Sequence, residues 1–446
     1  MTSEINRSGN SMADKIPLKL PKHFIFQGGS IIETTVKCHE TADIEIKDGK
    51  VVKIASEIEA PEIARFDASQ YMIAPGFINS HTHSAMGFFR DLGHGKEEMI
   101  ENFLFPAEKA LTDELIKPLS YSYIAGSLKS GTTFISDHYY MVEGTGLAAE
   151  KIGIKAAIGE TIADLGGAFP EKATFEHARK SIESWSFSNN IYPVLAPHAS
   201  DTVSDSQAQK ISEYSKKNNI PIHMHLSQTK GELSRTKSRT GKTPTQWAND
   251  VGLLGPNTTA VHLVSVNEND IGLLEKAKST GIICPASQII YETLAPISRL
   301  KNSKVPLAIA TDCAASNDGA DLLSEVKFAA LLDKYCGSDA IDHQYWLDSI
   351  TLTPARALGL ESSVGSLEAG KSADFILLKK AVETLPLNNI IENLIFSQHQ
   401  GNIEYVAVNG EFSLYEGKLA KVSESSLKEE YISAVAEISK RCSIKA

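Results

Sequence analysis

Eight short apolar runs, each followed by a longer stretch of helical period, constrain this chain more than any other feature. They are residues 71–78, 133–138, 155–161, 191–198, 221–228, 258–264, 281–287 and 306–312. Continuous apolar runs of this length suit strands buried on both faces. The stretches between them carry helical spacing. In residues 267–280, Ile271 and Leu274 share a face, and Gly281 is placed to end the helix. Strand then helix, repeated eight times over roughly 250 residues, is the count of an eight-stranded β/α barrel. An open doubly wound sheet calls for a Gly-rich phosphate loop after the first strand, and the sequence has none there.

The flanks read differently. Ile44 and Ile46 alternate with charged residues up to Asp48-Gly49, and Val51, Val52 and Ile54 follow. Alternation on both sides of Asp-Gly signals a hairpin. The pattern returns in residues 373–378 and 405–419, with turns at Asn409-Gly410 and Glu416-Gly417. The two ends are therefore expected to form one small β-sheet domain, residues 16–70 plus 363–425, beside a barrel at 71–362. Residues 1–15 are polar and expected to be disordered. Residues 426–446 are expected to form a C-terminal helix.

Lys plus Arg is 44 and Asp plus Glu is 55, a net charge of −11. That balance argues against nucleic acid or an anionic membrane as partner. No window approaches the ~20 consecutive apolar residues of a membrane helix. The five cysteines are spread without a CxxC, which is not a disulfide framework. The N-terminus lacks the apolar stretch of a secretory signal, so a reducing cytoplasm is the expected location.

Polar residues gather where the strands should end, which is where barrel active sites sit. His81 and His83 close the first run and share a face, because strand side chains alternate with period 2. His198 ends the fourth, His223 and His225 lie on one face of the fifth, His262 is on the sixth and Asp312 ends the eighth. Alone, a His in an apolar run is a hydrogen-bonded core residue and an Asp after a strand is a cap. Together, several imidazoles and a carboxylate at one end of separate strands are costly to bury without a metal or partner. Three His nitrogens and one Asp oxygen suit a borderline divalent ion such as zinc.

The stretch Ala74-Pro75-Gly76-Phe77-Ile78-Asn79-Ser80-His81-Thr82-His83 resembles the first-strand motif of the amidohydrolase superfamily. The chain is similar to its cytosine deaminase-like, triazine hydrolase and S-adenosylhomocysteine/methylthioadenosine deaminase group. The likeness continues through Phe105-Pro106-Ala107-Glu108, residues 131–137, Ala196-Pro197-His198, His223-Met224-His225-Leu226, Cys284-Pro285-Ala286-Ser287 and Ala310-Thr311-Asp312. It ends in residues 352–359 and 365–374. The resemblance implies a β/α barrel with a small β-sandwich made by both chain ends, and a homodimer. It implies one divalent metal per chain, zinc or alternatively iron, held by His81, His83, His225 and Asp312. His223 is then a supporting residue. His262 orients the attacking water, and His198 and Arg90 contact a small heterocyclic substrate. Arg90 reads equally as a solvated loop charge. The fourth run contains no lysine where two-metal members carry a carboxylated one, which favours a single ion.

Two departures from the family pattern stand out. Gln228 occupies the position three after His225 where deaminases carry a proton-shuttling Glu. An amide can donate a hydrogen bond to a ring nitrogen but cannot deliver a proton. Glu232 is the candidate substitute, with an exposed surface charge as the alternative. Gln288 stands where Asn usually follows the Cys-Pro-x-Ser run. The expected function is metal-dependent hydrolysis at a ring carbon of an N-heterocycle, releasing ammonia. The alternatives are a triazine-type enzyme expelling halide or alkylamine and, as a minority reading, a non-catalytic scaffold.

Overall fold

The computed structural model describes residues 16–96 and 98–442. The disorder expected for residues 1–15 lies outside them, as do the last four residues of the expected C-terminal helix. The described part of that helix runs Glu424–Arg441. No helix among the described residues is long and apolar enough to cross a membrane.

Asp48-Gly49, Asn409-Gly410 and Glu416-Gly417 each place two consecutive residues at positive φ, between 48° and 75°. That is the geometry of a tight hairpin turn that follows strand twist, and Gly takes its second position without a Cβ clash. The turns join Lys37–Lys47 to Lys50–Ala55, Ile403–Val408 to Glu411–Tyr415, and Glu411–Tyr415 to Lys418–Leu419. All five strands belong to one nine-stranded sheet. Tyr71–Pro75 is its seam. It pairs in parallel with His23–Thr34 from the N-terminal flank and antiparallel with Phe375–Lys379 from the C-terminal flank. Phe24, Phe26, Ile44, Phe375 and Phe412 fill the core of this sheet.

The run expected as the first barrel strand, residues 71–78, is therefore two strands divided at Gly76. A Cβ there would sit 2.2 Å from the Thr133 side chain, so only Gly lets the chain cross from one sheet to the other. Past it, Phe77–Thr82, Thr132–Tyr139 and Lys155–Ile162 form a parallel sheet. The run at 191–198 joins that sheet as two pieces, Ile191–Pro193 and Ala196–Pro197, since each proline removes a ladder donor. Ile222–Leu226, Thr258–His262, Thr280–Ile283 and Leu307–Ile309 form a second parallel sheet. Backbone bonds cross between the two. Leu195 N–H donates to Pro221 O and His223 N–H to Leu195 O, both at 2.8 Å, and Asp312 N–H donates to His81 O at 3.2 Å. The architecture is a TIM-barrel-like α/β fold with a separate smaller domain.

One helix end differs from the sequence reading. Asn267 and Asp270 cap helix Glu268–Ala277 reciprocally, and the helix stops at Lys278 in the left-handed region, not at Gly281. Gly281 lies inside strand Thr280–Ile283. A Cβ on it would come within 2.8 Å of Leu263 and Leu307, so it serves packing between strands.

Candidate active site

His81 and His83 project from the end of Phe77–Thr82, and His225 from Ile222–Leu226. In all three rings Nδ1 is occupied. His83 Nδ1 bonds the His138 carbonyl, His225 Nδ1 the His198 carbonyl at 2.8 Å, and His81 Nδ1 the His223 Nε2 at 2.7 Å. Carbonyls accept only, so His83 and His225 carry their protons on Nδ1 and present bare Nε2 lone pairs. Those two lone pairs face one another at 3.2 Å, an arrangement that a hydrogen bond does not satisfy. His81 Nε2 is buried without a partner. His81 Nε2 and His83 Nε2 lie 3.5 and 3.6 Å from Asp312 Oδ1. Burial lowers the pKa of His81 to about 4, which leaves its ring neutral at pH 7. Inward lone pairs, held in tautomer by outer partners, form a donor set that fits a cation. His223 is one of those outer partners: its Nδ1 meets Thr259 Oγ1 at 2.7 Å.

Two further triads form in the same space, His81–His225–His262 and His262–Cys284–Asp312. Burial holds the Cys284 thiol far above its ordinary pKa, so it stays protonated and is a poor ligand. The second oxygen of Asp312 accepts from Ser287 Oγ at 2.6 Å, leaving Oδ1 turned to the imidazoles. His262 at φ 81° and Asp312 at φ 63° adopt left-handed backbone that non-glycine residues rarely take. Gln288 explains part of this. Its amide donates to His262 O at 2.7 Å and accepts from Ala295 N–H at 3.3 Å, bracing the strained residue. His262 Nε2 is buried and unpartnered.

A cavity of about 590 Å³, including its part open to solvent, opens over this cluster. Met86, Met99, Leu104 and Phe105 give it apolar walls, while His83, His225 and Asp312 lie at its polar end. His198 and Gln228 line it too; His198 Nδ1 bonds Thr202 Oγ1 at 2.9 Å.

Two expected site residues do other work. Arg90 does not line the cavity: its Nε donates to Asp318 O at 2.8 Å and its Nη1 to Ser122 Oγ at 3.1 Å, stitching a loop to a helix. Glu232 is not an exposed charge; it lines an adjoining hollow that shares Ile100, Phe105, His198 and Gln228 with this cavity. Its Oε2 accepts from Gln228 N–H at 2.7 Å. Its Oε1 accepts from Ser227 N–H at 3.2 Å and Ser200 Oγ at 2.6 Å. Burial, then the nearby Asp201, pushes its pKa up to about 7. Its carboxyl clamps the turn that carries Gln228.

The structure adds residues that the sequence reading passed over. Glu108 and Tyr139 line the cavity, bonded through Tyr139 OH to Glu108 Oε1 at 2.9 Å. Burial pushes Glu108 up to about 7. His138 also lines it, at the end of Thr132–Tyr139. The rule that selected the other histidines, a polar residue where a strand ends, would have selected His138.

Residues 72–412 match the amidohydrolase family. A 5-methylthioadenosine/S-adenosylhomocysteine deaminase of Thermodesulfovibrio yellowstonii is 32% identical over 395 residues, covering 86% of this chain and 90% of the relative. A 5′-deoxyadenosine deaminase of Methanosphaera stadtmanae is 28% identical, covering 86% and 92%. Among solved structures, an adenosine deaminase of Xanthomonas campestris with bound zinc superimposes with a TM-score of 0.87 at 25% identity, covering 94% of this chain and 98% of that one. The family match spans the cavity and every imidazole around it, and the protein belongs to the amidohydrolase family.

Proposed function

We propose that the protein is a metal-dependent aminohydrolase that releases ammonia from the exocyclic amine of an adenine nucleoside. The finer architecture belongs to the same reading: the two parallel sheets are one eight-stranded β/α barrel, and the nine-stranded sheet is the small β-sandwich beside it. The observation that carries the proposal is the inward convergence of the bare His81, His83 and His225 Nε2 atoms on Asp312 at the polar end of the cavity. The deaminase names of the relatives supply the leaving group and the purine. These four residues would hold one ion per chain; zinc suits three imidazole nitrogens and a carboxylate, with iron the alternative. When bound, such an ion brings the pKa of water to about 7 and so supplies hydroxide at neutral pH.

The chain's own groups do the rest. Asp312 is the carboxylate placed to accept the water's proton, oriented by Ser287 Oγ, which donates to its Oδ2. His262 hydrogen bonds the oxygen that adds to the ring carbon. Gln228 donates its amide hydrogen to the adjacent ring nitrogen. Glu232 is occupied by backbone donors, so the proton that departs with the amine comes from Asp312. Water is thereby divided: oxygen and one hydrogen to the ring, the other hydrogen to ammonia.

The test is ammonia release by zinc-loaded protein from 5′-methylthioadenosine, S-adenosylhomocysteine, 5′-deoxyadenosine, adenosine and guanine, with chloride release from a chlorotriazine measured in parallel. Turnover of at least one adenine nucleoside is expected. Chloride release alone, or no turnover at all, overturns the proposal.

A further inference from the structure

His138 is 1% exposed, and neither ring nitrogen has a hydrogen-bond partner. Two orphaned polar atoms in one buried ring are rare and costly unless a partner arrives with a ligand. The ring lines the cavity. It stacks on His225 at 4.8 Å between centroids and 27° between planes, and stands edge-on to His198 at 6.0 Å. It thus lies in the imidazole layer around the reacting end, with the His83 ring 5.8 Å away between centroids. Among the described residues, the groups whose ligand atoms converge within 4.8 Å do not include it. Its backbone carbonyl already has a task, holding the His83 tautomer, which leaves the side chain without one.

We propose that His138 is a substrate-binding residue whose free imidazole hydrogen bonds, through one ring nitrogen, a polar atom of the heterocycle undergoing hydrolysis. A neutral imidazole offers one donor and one acceptor on opposite sides of its ring, so one nitrogen can meet a polar atom of an aminated purine. The ring's place beside His225 assigns it to the heterocycle and not to the far end of the substrate. This inference rests on the aminohydrolase reading above. Because the contact is made to ground state and transition state alike, its loss raises KM and leaves kcat nearly unchanged.

The experiment uses the zinc-loaded full chain, 5′-deoxyadenosine and the other adenine nucleosides of the screen. Absence of ammonia release from the wild-type protein overturns the aminohydrolase reading and this inference with it. With an active wild type, His138→Leu is expected to raise KM on the order of tenfold or more. Its kcat should stay within about threefold, its zinc content should match wild type and its melting temperature should not fall. His138→Gln, which restores a donor and an acceptor, should recover most of the loss. His138→Met takes the place of the Leu variant if that one does not fold. A KM within twofold of wild type in the apolar variant overturns the inference, and so does a zinc content that falls with the activity, since His138 then acts through the metal.

Discussion

Replacing Glu232 separates two roles that a carboxylate so close to Gln228 can play. As an anchor, it supplies acceptors to Ser227 N–H at 3.2 Å, Gln228 N–H at 2.7 Å and Ser200 Oγ at 2.6 Å. Ser200 keeps a second partner in Thr236 Oγ1 at 2.7 Å, so truncation to Ala strands chiefly the two backbone donors. A buried donor left unpaired costs about 1–3 kcal/mol, which puts Glu232→Ala at about 3 kcal/mol of stability. Glu232→Gln keeps one acceptor oxygen and costs about half as much. Urea unfolding followed by circular dichroism reads these costs, and kcat/KM on the best nucleoside is measured in the same preparations. The anchoring role expects Glu232→Gln to lower the unfolding midpoint modestly and kcat/KM by less than about tenfold. Glu232→Ala should lower both further, because the turn holding Gln228 loosens. A general acid behaves in the opposite way: its amide variant loses about 10²-fold or more in kcat/KM. Such a loss with an unchanged unfolding midpoint would refute the anchoring argument and return the proton to Glu232.

The metal set, the buried acids and the composite sheet each give a further test. Purified protein should carry close to one transition metal per chain by elemental analysis. His225→Ala should lose most of it and His223→Ala much less, because His223 hydrogen bonds His81 Nδ1 and Thr259 Oγ1 and does not face the converging Nε2 atoms; equal losses would reverse that assignment. Burial raises Glu160 and Glu325 to about 7, so the folded chain keeps protons that the unfolded chain sheds near 4.5. These groups favour folding at low pH, and that contribution is lost as pH rises from about 4.5 through 7. Glu160→Gln should therefore flatten the fall in unfolding free energy between pH 5 and 8, and an unaltered slope contradicts the assignment. Deleting residues 404–419 removes the strands beside Phe375–Lys379 and the buried Tyr405, Val406, Phe412 and Leu414. A melting temperature unchanged by that deletion would show that the two chain ends do not fold as one unit.

Much of this was legible in the sequence because it depends on period and on turn chemistry. Alternation around Asp48-Gly49 and Asn409-Gly410 fixes a hairpin locally, and period 2 puts both histidines of an HxH on one face of a strand. The split at Gly76 was not legible. It depends on Thr133, which meets the glycine only after the second strand is laid beside the first. The left-handed backbone of His262 and Asp312 is likewise set by tertiary bonds such as that from Gln288. Glu232 carried a local signal of its own. Thr229-Lys230-Gly231-Glu232 has the spacing of a helix-capping box, and Thr229 does accept from Glu232 N–H at 2.9 Å. Its proximity to a catalytic position in the family pattern concealed that structural reading.

The two residues that depart most from expectation, Gln228 and His138, point the same way. Both line the cavity beside the imidazole cluster, and both are neutral groups that offer a donor and an acceptor. Glu108 also lines the cavity, where its Oε1 accepts from Tyr139 OH. Asp312 is the carboxylate among the converging donors, with one oxygen fixed by Ser287 and the other facing them. In the proposed mechanism Asp312 first accepts a proton and then returns it, which removes the need for the Glu that Gln228 replaces. On this argument the site gives up some of the ~10²–10⁴-fold help of a dedicated general acid. In this proposal Gln228 and His138 supply uncharged hydrogen-bonding groups beside Asp312 that read the donors and acceptors of the ring.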